Sequence, residues 1–78
     1  MRLFDRLLQA IEDTRNEKLR ALLLKAEDRI RKDDLNLALE YIDQAYNEAS
    51  FLEQSDLYML WERAQTLKPH PTRRKPLR

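Results

Sequence analysis

The 78-residue sequence contains no glycine and no cysteine. Glycine averages about 7% of globular proteins. It serves tight turns, left-handed helix caps and phosphate-cradling loops. Its absence excludes the GxxxxGK[ST] and GxGxxG phosphate loops outright. A β-rich fold would have little to turn with. Without cysteine there is no disulfide and no thiol nucleophile. The single histidine, His70, leaves no Cys/His zinc site. No run approaches the roughly 18 apolar residues that mark a membrane span. The opening MRLFDRLLQAIED interleaves apolar residues with charges, so a secretory or organelle-targeting leader is not expected. A cytoplasmic location is the default, and the lack of cysteine fits it.

Leu, Ala, Glu, Gln, Lys and Arg dominate what is present, and all are good helix formers. The expected class is all-α: a small antiparallel three- to four-helix bundle or helical array over 1–68, followed by a flexible basic tail over 69–78. A domain this short buries only about 60% of the surface that its unfolded chain exposes. Long, well-packed helices, self-association or a partner must supply the rest.

The apolar spacing predicts helices over about 2–13, 15–32, 34–53 and 56–67. Leu3, Phe4, Leu7, Leu8 and Ile11 mark the first. The stripe lapses at Arg15, and Thr14 with Glu17 fits a capping box, so a break is expected at 13–16. Without Pro or Gly there, one continuous helix over 2–32 is the alternative. Leu19, Leu22, Leu23, Ala26 and Ile30 form the second buried face. Asp33 or Asp34 is expected to cap the third helix. There Leu35, Ala38, Ile42, Ala45, Ala49 and Leu52 recur at spacings of three and four, a regular packing seam. Ser55 or Asp56 is the expected cap of the fourth helix, whose stripe is Leu57, Leu60, Trp61, Ala64 and Leu67. Prolines 69, 71 and 76 end the pattern.

Charge is segregated along the chain. Residues 1–32 carry nine Lys/Arg and six Asp/Glu, residues 33–62 carry eight Asp/Glu and no Lys/Arg, and residues 63–78 carry six Lys/Arg and no acid. In the acidic block, Glu40, Asp43 and Glu48 fall away from the third-helix seam. They form either a solvated face or a docking surface for a basic partner, nucleic-acid mimicry being a special form. Tyr41, Phe51 and Tyr58 fall off the seams, where large aromatics suit binding hot spots. Arg73, Arg74, Lys75 and Arg78 give the tail a modest electrostatic reach toward nucleic acid or acidic protein. No aromatic is interleaved with them to stack on bases.

The stretch from Leu22 to Ser50 resembles a tetratricopeptide repeat, a 34-residue helix–turn–helix unit. Leu22 and Ala26 stand at the large and small positions of its first helix. Ala38, Ile42 and Ala45 repeat the small–large–small pattern of its second. Lys25 and Arg29 depart from the pattern, standing where a leucine and an aromatic are usual. Asp33 replaces the turn glycine, and Ser50 stands where proline is common. The resemblance implies a protein-binding module whose groove is lined by first-helix residues. Lys25 and Arg29 would there meet an acidic peptide.

Catalytic chemistry finds no foothold. His70 falls in the tail, where no rigid shell holds it. Glu27 and Asp28 are adjacent and point apart in a helix, and Asp33 and Asp34 are explained by capping. No enzyme, no cofactor, no metal and no small-molecule substrate is expected. The leading expectation is a protein–protein interaction module: an adaptor, inhibitor or regulatory accessory protein. A homodimeric bundle paired through the third-helix seam is the first alternative. A nucleic-acid- or polymerase-associated regulator using the tail is the second.

Overall fold

The computed structural model describes residues 2–67, which form four helices: α1 (Leu3–Asp13), α2 (Glu17–Arg31), α3 (Leu35–Glu48) and α4 (Phe51–Leu67). The tail residues Arg73, Arg74, Lys75 and Arg78, with His70, lie outside the described residues. Each helix packs on its chain neighbours, and α1 also packs on α4, while α1–α3 and α2–α4 make no contact. The four helices therefore close into a ring around one core. The α2–α3 interface is the most extensive. No described helix is long and apolar enough to cross a membrane.

The core explains how so short a chain holds together. Leu7, Leu19, Leu23, Leu39 and Ile42 are its largest fully buried side chains. Between them lie buried alanines: Ala10 on α1, Ala26 on α2, Ala38 and Ala45 on α3, and Ala64 on α4. Every helix thus presents at least one methyl-sized residue inward. Small residues let backbones approach closely, and close packing recovers dispersion contacts that a loose leucine core would forfeit. Leu22, Ala26, Ala38, Ile42 and Ala45, which carry the tetratricopeptide resemblance, are all buried. Any close helical hairpin with interfacial alanines buries such positions. Because Ile42 and Ala45 are enclosed within one chain, that seam is not free to pair with a copy.

The chain breaks at 14–16, but Asn16 rather than Thr14 caps α2. Asn16 Oδ1 accepts hydrogen bonds from the Lys18 N–H (2.9 Å) and the Leu19 N–H (3.4 Å). Thr14 instead ends α1, its N–H bonded to Ala10 O at 2.9 Å. Its carbonyl accepts from Arg20 Nη2 at 2.6 Å.

The α2–α3 turn needs a left-handed residue, and the glycine-free chain supplies Asp33 with φ 65°. Its N–H reaches Ile30 O (3.0 Å), and the Asp34 N–H reaches Arg29 O (2.7 Å). These two bonds are those of a Schellman C-cap. Asp34 then caps α3, its carboxylate accepting from the Leu37 N–H at 3.3 Å.

The third helix stops at Glu48, well short of the expected 53, and α4 starts at Phe51 rather than 56. A capping box is the cause. The Ser50 N–H donates to Glu53 Oε1 at 2.9 Å, and Ser50 Oγ accepts from the Glu53 N–H at 3.4 Å. Neither Ser55 nor Asp56 caps anything; both lie inside α4. The seam is correspondingly shorter than its spacing predicts. Ala38, Ile42 and Ala45 are buried and Ala49 is half-buried, whereas Leu35 and Leu52 are exposed. In α4, Leu57, Leu60 and Ala64 are buried, Trp61 is half-buried and Leu67 is exposed.

Candidate interaction surfaces

The first surface lies along α2 and α3. Lys25, Arg29 and Tyr41 come together there, lining one shallow open depression with Leu24 and Asp28. Lys25 Nζ sits 5.9 Å from the Tyr41 ring centroid. Arg29 Nη2 is held by Asp28 at 2.6 Å, and Lys32 Nζ approaches the same carboxylate at 3.3 Å. Hydrogen bonds from Arg29 and then Lys32 hold the Asp28 carboxyl below its ordinary pKa. Asp28 in turn raises Arg29. Arg29 is thus paired with Asp28, whereas Lys25 has a ring contact but no carboxylate, so the surface keeps a net positive charge.

The acidic residues of α3 have different surroundings. Asp43 accepts from Gln65 Nε2 at 2.6 Å, an inter-helix bond that holds α4 on α3. Glu48 accepts from Gln44 Nε2 at 3.0 Å along α3. Glu40 is exposed to solvent.

The outer face of α4 differs in kind. Phe51 is 87% exposed, Leu52 77%, Met59 53% and Tyr58 44%. A helix turns about 100° per residue, so positions i, i+1, i+4, i+7 and i+8 share one face. Phe51, Leu52, Ser55, Tyr58 and Met59 are such a set, and they line one open depression together with Gln54 and with Tyr46 of α3. Leu57, Leu60 and Ala64 occupy the opposite face of the same helix, against the core. The helix is thus apolar on two sides, only one of which the described residues cover.

Rigid supports fix this face. Trp61 stacks on Tyr46 of α3, with ring centroids 4.6 Å apart and planes at 15°. Tyr58 leans on Trp61 at 6.0 Å, so its ring is held against α4. Gln54 Nε2 donates to Tyr46 O at 2.9 Å. At the start of α4, Glu53 Oε2 accepts from Asn16 Nδ2 at 3.2 Å, joining the α1–α2 turn to the helix. Hydrogen bonds from the Ser50 backbone first, then from the Asn16 and Ser50 side chains, hold the Glu53 carboxyl below its ordinary pKa.

Of the residues singled out from sequence, Phe51 and Tyr58 meet on this face, Lys25, Arg29 and Tyr41 meet on the first, and Glu40, Asp43 and Glu48 all lie on α3. Leu52, Ser55 and Met59 belong to the α4 face and were missed. The Ser50–Glu53 capping box was the signal that could have found them, because it sets where α4 begins. Among the described residues, no group of three His, Cys, Asp or Glu residues is arranged to hold a metal ion.

Compared with protein-family models, curated proteins and solved structures, the chain matches none. The described residues form a four-helix α-fold and leave one apolar helix face uncovered.

Proposed function

We propose that this chain is a non-catalytic protein-interaction module, a small cytoplasmic adaptor, inhibitor or regulatory protein, that binds its partner through the outer face of α4. The observation that carries the reading is the exposure of Phe51 and Leu52 beside Tyr58 and Met59. Leaving a large apolar side chain in water forgoes about 1.5–3 kcal/mol of burial. A contiguous group of them on a rigid support marks an interaction site. The composition fits as well: aromatic residues and methionine are enriched at interface centres, and charged residues are depleted there.

Affinity capture with the wild-type chain and with a Phe51→Ser/Leu52→Glu double variant tests this. Circular dichroism confirms that both fold. The bound partner should be lost from the variant. Equal recovery by both would refute the assignment to α4. Loss only on truncation after residue 68 would instead move the function to the basic tail.

A further inference from the structure

The apolar group on α4 has a symmetry of its own. Ser55 is its centre and its smallest member. Phe51 and Met59 stand four residues to either side of Ser55, and Leu52 and Tyr58 stand three to either side. Ser55 therefore lies where an i±4 ridge, Phe51–Ser55–Met59, crosses an i±3 ridge, Leu52–Ser55–Tyr58. Ridges of these two kinds are what packed helices interlock. A small residue at their crossing, ringed by four large ones, lets a second helix approach closely at one point.

We infer that the partner of this face is a second copy of the chain, paired antiparallel through α4 about a two-fold axis at Ser55. The inference rests on the reading of the α4 face as the binding surface and names its occupant. An isologous interface must be self-complementary. Under that two-fold, position along the helix reverses while the side of the helix is kept, so Phe51 faces Tyr58 of the copy and Leu52 faces its Met59. The first is an aromatic pair, and the second sets an aliphatic side chain against an adaptable thioether.

Area and charge agree. At about 200 Å² for each large side chain, the four corners expose about 500 Å² per chain, so pairing covers about 1,000 Å², the lower bound of a specific interface. That size suits a reversible dimer. The patch itself carries no charge. Glu53 is turned to Asn16 and Ser50, and the next charge along the same face is Glu62, which accepts from the Tyr58 hydroxyl at 3.4 Å. The rim carries both signs: Asp56 and Glu62, with Arg6 and Arg63 beside Met59 and Glu62. Added salt should therefore change the pairing little, unlike association driven by the basic tail, which salt weakens.

The test is sedimentation of the full chain across concentrations from about 5 to 500 μM, at low and high salt. The expected result is a monomer–dimer equilibrium that changes little with salt and weakens about 10-fold or more in Leu52→Glu. The cysteine-free chain allows a second reading. Ser55→Cys should form a disulfide dimer under mild oxidation. Ala21→Cys, on an exposed position of α2, the helix that does not touch α4, should not. A dimer that survives Leu52→Glu, weakens steeply with salt or fails to cross-link at Ser55→Cys overturns the inference. A monomer throughout overturns it too. If such a monomer still binds another protein in a Phe51- and Leu52-dependent way, the interaction reading survives alone. If it does not, both fall.

Discussion

Replacing Asp33 with glycine should stabilise this protein, although the substitution adds no contact. Asp33 holds φ 65° at the C-terminus of α2. A residue with a Cβ costs about 1–2 kcal/mol in that region. Aspartate tolerates it better than most residues, so the native cost lies near the lower figure, about 1 kcal/mol. Glycine removes it but raises the entropy of the unfolded chain, which returns about 0.4–1 kcal/mol. The net gain for Asp33→Gly is about 0.3 kcal/mol, or about 1–2 °C in Tm for a domain of this size. Asp33→Ala keeps the Cβ but lacks aspartate's tolerance of the left-handed region, and should fall below wild type by about 1 kcal/mol. Asp33→Asn keeps the left-handed tolerance while removing the charge, which separates backbone strain from electrostatics. Thermal and urea unfolding followed by circular dichroism reads all three. The order Gly above Asp above Ala is the signature. Alanine equal to or above glycine would refute the argument that the turn is strained.

The close-packed interior should punish changes of volume in both directions. Ile42→Ala removes a fully buried branched side chain and should cost about 2–5 kcal/mol. Ala45→Leu forces extra methylenes into the α3 interface and should cost about 1–3 kcal/mol. Urea midpoints read both, and a near-neutral result for either would mean that the core is loosely packed. Stability should fall in acid, because the folded pKa of Glu53 is depressed below the ordinary 4.5. A depressed carboxyl contributes fully above that value, and its contribution is lost as pH falls through the folded value. Asp28 acts in the same sense below its ordinary 3.8. Glu53→Gln should flatten part of the loss below pH 4.5. An unchanged slope would show that the capping box does not persist in solution.

The middle of each helix was legible because periodic burial leaves a periodic trace. Leu7, Leu19, Leu23, Ala38 and Ile42 fall inside in the structure as their spacing predicts. The boundary between α3 and α4 was obscured by a coincidence of register. Ala49 and Leu52 continue the three–four rhythm across a two-residue link, so one long helix reads as well as two. Ser50 and Glu53 break the tie only when read as a reciprocal pair, and Ser55-Asp56 offers a competing cap of equal local quality. Placing Leu52 in the core then hid the outer face of α4, although Phe51 and Tyr58 already stood out. Long-range pairings such as Tyr46 on Trp61 or Gln65 to Asp43 leave no local trace. Asp33 as the left-handed residue was hidden too, because aspartate before a helix is equally good as a cap.

The ring of helices has a clasp. Cutting α1 from α4 detaches neither, since α1 still rests on α2 and α4 on α3. The protein can thus open like a bracelet, with the broad α2–α3 hairpin staying shut. The clasp also joins the two helices farthest apart in sequence, so it carries the largest loop-closure entropy. Backbone amides of α1 and α4 should then exchange with solvent as one cooperative group, ahead of α2 and α3. Every such opening would bare Leu57 and Leu60 on the inner side of the same helix that already shows Phe51 and Leu52 on its outer side.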